Sequence, residues 1–199
     1  YVGTGRYLGG TDVSGASVPE LTRQVLLAVK DDLPGPMTPI TFDSSGGLIQ
    51  QTLVDVATSP PTRAIPSASA AAVNWSSNNG WYVMLPDLGE RVTVEPRLQL
   101  GTVSFVSNRP RDEYCSLGGS SWLYALDYRT GTAISTQATS VVGMQVDSHT
   151  IGTGLTVVRL PNGHLVAIVN TPDGTRTLEL PTGAAGAGSV RRVGYREIN

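Results

Sequence analysis

The chain has 199 residues, of which 40% are hydrophobic and 15% charged, with a formal net charge of −2. That is too apolar for a disordered chain, and its apolar runs fall well short of the roughly 20 residues a membrane-spanning helix needs. The near-neutral charge gives no basic footprint for nucleic acid. Lys30 is the single lysine beside thirteen arginines, and Cys115 is the single cysteine. No intrachain disulfide and no cysteine-based zinc site can form. We read the chain, which opens on YVGTGRYLGG without a start methionine, as a piece of a longer protein.

In chain order, 1–10 reads as a strand ending in glycines. Its GTG is not a phosphate loop, because no Gly-Lys-Ser/Thr ending and no helical pattern follow. QVLLAVK (24–30) is an apolar run bounded by Asp and Pro, a buried strand by length and flanks. LIQQTLVDV (48–56) fits a short helix or a strand. From about 57 to 79 the chain is rich in Ser, Pro, Ala and Asn, which predicts an irregular surface insertion. Asn74-Trp75-Ser76 matches a glycosylation sequon.

The stretch 80–131 organises the rest. GWYVMLP is a strand stopped by proline, DLGE a turn, and RVTVEPRL and GTVSFVS alternate polar and apolar residues. SSWLYALD reads as a continuously buried strand and YRTG as its closing turn. A further strand is expected at 132–137, and 141–153 is rich in glycine and polar residues. LTVVRLPNGHLVAIVNTPDGTRTLELP predicts three strands joined by two hairpins, with type I′ turns at Asn162-Gly163 and Asp173-Gly174. TGAAGAG is of low complexity, and VRRVGYREI is the expected last strand. The count is roughly twelve strands, or about three four-stranded units of propeller size, too few to close a ring.

Catalytic groups are sparse. His149 lies beside Asp147 and Ser148, but adjacency in sequence does not assemble a triad. His164 follows a hairpin Asn-Gly, and the two histidines lack metal-ligand spacing. TFDSSGG carries one carboxylate, far from a calcium loop. Asp112 and Glu113 beside Cys115 would raise its thiol pKa and lower its reactivity. Two readings of Cys115 stand together: a free buried thiol, or a disulfide to a segment outside this chain. The expectation is therefore no catalytic residue and no metal ligand.

The succession YVGTGRYLGG, VNWSSNNGWYVMLPDLGERVTVEPRLQLGTVSFVSNRP, CSLGGSSWLYALDYRTG and VRRVGYREI resembles the C-terminal region of the PilC/PilY family of type IV pilus biogenesis factors and tip-associated adhesins. Tyr195 stands where that family often has tryptophan. The resemblance implies an all-β, quinoprotein-like β-propeller, here the C-terminal portion over 1–199, about three blades of a larger ring. It implies a non-enzymatic role in pilus extension, retraction, attachment and twitching motility, at the cell surface, outer membrane or pilus tip. Implied partners are pilin or minor pilin subunits, host or abiotic surfaces, and the upstream part of the same protein. Some members carry a calcium-binding aspartate-rich loop. It has no match in these residues, so it lies upstream or is absent, and no metal ligand is transferred. The alternatives are a quinoprotein-type dehydrogenase propeller and a structural scaffold in a secreted assembly. On composition, the contact loops would be 57–79 and 109–121, with Arg109, Arg111 and Tyr114 as the candidate partner-binding residues.

Overall fold

A computed structural model describes residues 1–5, 23–30, 47–111, 118–134 and 139–182. Among these residues lie fourteen strands and no helix. They are β1 (Val2–Gly3), β2 (Val25–Val29), β3 (Leu48–Gln51), β4 (Val54–Val56), β5 (Thr62–Ala64), β6 (Gly80–Met84) and β7 (Arg91–Val92). They continue with β8 (Arg97–Gln99), β9 (Thr102–Pro110), β10 (Gly119–Asp127), β11 (Val141–Asp147), β12 (Gly154–Arg159), β13 (Leu165–Thr171) and β14 (Gly174–Leu180).

Three sheets form, in three layers, and none closes on itself. The first has the order β1-β2-β6-β3, with β3 parallel to β6. The central sheet runs β4-β5-β11-β10-β9-β7, and β8 pairs with the same edge of β9 further along. The third is the meander β12-β13-β14.

The hairpin β9–β10 explains the stacking. Side chains alternate between the faces of a strand, so Val103 and Phe105 point one way and Val106 the other. Trp122, Tyr124 and Leu126 meet Leu26, Trp81 and Val83 of the first sheet in one core. Val106, Leu123 and Ala125 meet Leu155, Leu165, Ala167 and Val169 of the meander in a second. A sheet covered on both faces needs apolar residues at both parities, which is why SSWLYALD reads as an unbroken run.

The all-β expectation holds, but the strands are not grouped as three four-stranded units. The central sheet takes seven strands, because LIQQTLVDV forms two strands, β3 and β4, that join different sheets. The stretch 57–79 is not irregular throughout, since β5 lies within it and pairs with both β4 and β11. In the glycine- and polar-rich stretch 141–153, to which no strand was assigned, residues 141–147 form β11, with a register shift between Val141 and Gly143. Residues 132–134 are not in a strand; the rest of the strand expected at 132–137 and the whole of VRRVGYREI lie outside the described residues.

The meander is present with its two hairpins, but the turns sit differently. Thr171 faces Gly174, so the central residues of the second turn are Pro172 and Asp173. In the first, Gly163 N–H bonds to Leu160 O, placing Pro161 and Asn162 at its centre. Proline fixes φ near −65°, which forbids the type I′ turn at that position and suits a type I turn followed by glycine. Both glycines have positive φ, and neither Asn162 nor Asp173 does. The two-residue turn with both φ values positive lies instead at Leu100 (49°) and Gly101 (78°), between β8 and β9.

The turn after β10 locks the first core. Asp127 Oδ1 accepts the N–H groups of Arg129 (2.9 Å) and Thr130 (3.2 Å). Trp81 Nε1 donates to Tyr128 O at 3.2 Å. The buried Gln51 donates to Thr130 O and Ala71 O and accepts from Ala71 N–H, tying the turn to the 66–79 segment. Gly131 (φ 68°) lies against the Trp81 ring, and a Cβ there would stand 2.4 Å from its carbons. Gly131→Ala combines overpacking with left-handed strain and should cost about 2–4 kcal/mol. Urea unfolding measures it, and a loss below about 1 kcal/mol would refute this account of the turn.

Candidate functional site

The central sheet has two ends, and the candidate contact residues divide between them. Arg109 and Arg111 stand at the end where β9 stops and β10 begins. Tyr114 and Cys115 lie outside the described residues. The turn 57–61 between β4 and β5 points to this same end, because Pro61 O accepts from Gln145 near the finish of β11. The segment 66–79 lies at the opposite end, held by Gln51 and packed on the first core through Ala70, Val73 and Trp75. The two loops therefore do not form one surface.

Beneath Arg109 is a charged cluster that the sequence reading missed. Arg63, on β5, has a side chain only 1% exposed. Its Nη1 reaches both oxygens of Glu90 (2.7 and 2.9 Å), Nη2 reaches Asp87 Oδ2 (2.7 Å), and Nε reaches Asp55 Oδ1 (2.9 Å). Nη1 also donates to the Tyr124 hydroxyl, which donates onward to Glu90 Oε1 at 2.9 Å. Ser107 Oγ donates to the same oxygen. The guanidinium lies 3.8 Å from the centroid of the Trp122 ring, a cation–π contact. Glu90 is fully buried, whereas Asp87 is partly open and Asp55 mostly exposed, so the cluster runs from core to surface.

Local sequence makes room for it. Gly143 sits in β11 between Arg63 and Tyr124. A Cβ there would lie 2.8 Å from the Tyr124 ring and 3.2 Å from Arg63 Cβ. Glu90 ends the DLGE turn, and Asp87 N–H bonds back to its carboxylate at 3.4 Å. Phe105 stacks on Tyr124 with ring centroids 4.6 Å apart. Neither Arg63 nor Glu90 carried a signal: one sits in a Ser/Pro/Ala-rich stretch, the other in an ordinary turn.

Burial alone would lower the pKa of Arg63, but Tyr124, Glu90 and Asp55 outweigh it and push the pKa up, so Arg63 stays charged. Burial and the Glu90 charge push Tyr124 well up, keeping it a neutral phenol. The cluster offers a fixed cation and fixed donors, but no nucleophile. Among the described residues no group of three or more His, Cys, Asp or Glu side chains is arranged to hold a metal. Asp87 is shared between Arg63 and Arg109 Nη1 (3.8 Å), which ties the end of β9 to the core. The loop expected at 109–121 is shorter than read: 109–110 belong to β9 and 119–121 to β10, and 112–117 lie outside the described residues.

The same end carries Asp147, whose Oδ1 caps His149 and Thr150 N–H and whose Oδ2 meets Arg176 at 3.1 Å. Burial would raise this carboxyl, but those donors and Arg176 hold it below its ordinary value. Ser148 Oγ and His149 Nδ1 are 2.8 Å apart on the surface. His164 pairs with Glu179 on the outer face of the meander, away from His149.

No family model matches the chain, and no solved structure matches it. A sequence comparison does find a relative. The chain is similar to a type IV pilus biogenesis factor. The Type IV pilus biogenesis factor PilY1 homolog of Xylella fastidiosa strain Temecula1 is 32% identical over 139 residues, 67% of this chain. The match spans 9% of that protein's length. This similarity agrees with the resemblance read from the motifs, over a small part of a much longer relative.

Two outcomes test the site. Glu90→Leu strands Arg63 and two hydroxyls in the core and should cost roughly 3–5 kcal/mol. Combining it with Arg63→Met should cost less than the two single changes summed, as unfolding of all four proteins would read; strict additivity would deny the coupling. Asp147 has a folded pKa below its unfolded value, so its contribution is complete above pH 3.8 and is lost as pH falls through the folded pKa. Asp147→Asn should flatten that part of the stability profile below pH 4 or so, and an unchanged profile would contradict it.

Proposed function

We propose that this chain is the C-terminal β-rich part of a type IV pilus biogenesis factor and that it acts by docking rather than by chemistry. The observation that carries the reading is the similarity to the PilY1 homolog over 67% of the chain. In this reading the three stacked sheets are blades of a propeller-like arrangement completed by other sequence of the same protein. The segment itself needs no cofactor, and it sits at the cell surface on the pilus. Its partners are pilin subunits and the surfaces to which the pilus attaches.

Arg109, paired with Ser120 near the end of β9, and Arg111 just beyond it stand at the end of a strand buried along most of its length, over an arginine clamped by three carboxylates. Arginine at a fixed position loses little freedom on binding and suits an interface anchor. Association then costs less than it would from an unordered loop.

Deleting the coding region for these residues in the bacterium of origin should abolish surface pili and twitching. Arg109→Ala with Arg111→Ala should reduce attachment of piliated cells several-fold while the purified chain keeps its melting temperature. Normal piliation in the deletion strain would overturn the reading.

A further inference from the structure

Asn74-Trp75-Ser76 is the single Asn-X-Ser/Thr sequence of the chain. It lies in a turn of the 66–79 segment, at the end of the central sheet opposite Arg109 and Arg111. Asn74 and Ser76 are exposed, whereas Trp75 between them is partly buried and packs on the first core. The two residues that a glycan-transferring enzyme reads are thus open to solvent, and the residue between them anchors the turn. Asn74 O accepts the N–H groups of Ser77 (3.0 Å) and Asn78 (2.7 Å), and Asn74 N–H donates to Asn78 Oδ1 at 2.8 Å. Lys30 Nζ reaches Trp75 O at 3.3 Å.

The side chains at the two ends of the motif are set for one kind of chemistry. Asn74 Oδ1 accepts the N–H of Ser76 at 3.0 Å. An amide nitrogen is a poor nucleophile because its lone pair is shared with the carbonyl. A donor at the carbonyl oxygen stabilises the negative charge that gathers there as the nitrogen gives up a proton. The same bond leaves Nδ2 unused: neither it nor the Ser76 hydroxyl has a hydrogen-bond partner among the described residues. Other side-chain amides differ. Gln51 Nε2 donates to Ala71 O and Thr130 O, and Asn108 Nδ2 donates to Thr93 and Gly152.

We propose that Asn74 is an acceptor site for an N-linked glycan. The sugar donor is a glycosyl diphosphate, carried on a lipid or on a nucleotide. Asn74 Nδ2 forms a C–N bond to the anomeric carbon while the anomeric C–O bond breaks. The diphosphate leaves with the electron pair, the amide proton passes to a base of the transferring enzyme, and nothing is oxidised or reduced. The glycan would cover the 66–79 end with hydrated bulk and leave Arg109 and Arg111 clear. The acceptor geometry stands on these residues and is independent of the pilus reading.

The test is mass spectrometry of the protein isolated from the bacterium of origin. Trypsin, cutting after Arg63 and Arg91, releases residues 64–91 as one peptide. That peptide should carry added hexose or N-acetylhexosamine mass, placed on Asn74 by fragmentation. Ser76→Ala should lower the glycopeptide fraction at least about tenfold, whereas Ser76→Thr should keep it, with circular dichroism and melting unchanged in both. A full-length oligosaccharide without shorter forms identifies a lipid-carried donor; a ladder of single sugars identifies nucleotide-carried ones. A wholly unmodified peptide overturns the proposal. So does sugar on Ser67, Ser69, Ser76 or Ser77 with Asn74 bare, or sugar on Asn74 that persists undiminished in Ser76→Ala. If a serine variant misfolds, fragmentation of the wild-type peptide decides alone.

Discussion

The ion pair between Arg63 and Glu90 is the constraint around which the described structure is arranged. Two charges removed from water are costly unless each polar group finds a partner, and here β4, β9, β10 and the turn before β7 supply them. β4 brings Asp55, β9 brings Ser107, β10 brings Tyr124 and Trp122, and the turn before β7 brings Asp87. The glycine in β11 is the vacancy that lets these groups meet. The central sheet is thus held by polar contacts at one end and by the Trp81–Gly131 apolar contact at the other.

This division bears on how the chain would work in a pilus factor. The end with Arg109 and Arg111 is charged and anchored to the core through Asp87. The other end, where the Gln51 side-chain amide bonds to backbone groups of Ala71 and Thr130, ties the 66–79 segment to the 127–131 turn. The matched segment is 9% of the length of the PilY1 homolog.

Much of the fold was legible because it obeys local rules. QVLLAVK, GWYVMLP, GTVSFVS and SSWLYALD are apolar or alternating runs, and each holds a strand. The meander announced itself through its turns, yet the two prolines moved those turns by one residue. What was not legible depends on distance along the chain. β11 contains a glycine and polar residues because it lies under Arg63 and Tyr124, and that reason appears only after folding. The parallel partnership of β3 with β6, with β4 and β5 diverted to another sheet, follows from no local pattern. Of the candidate site, Arg109 and Arg111 were found from residue type alone. Arg63 and Glu90 were invisible, since an arginine in a Ser/Pro-rich stretch and a glutamate in a turn look like solvated charges.

The pairing of β5 with β11 joins residues about eighty positions apart, and β5 is only three residues long. So short a strand has little backbone pairing to fix its alignment. A slip of one residue would turn Arg63 to the opposite face of the sheet, towards Met144 and Leu123 and away from Glu90. Correct alignment pairs the guanidinium with Glu90 and Tyr124; the neighbouring alignment takes it away from both. The cluster is thus a proofreading device for assembly, selecting one register from several that apolar side chains alone would accept.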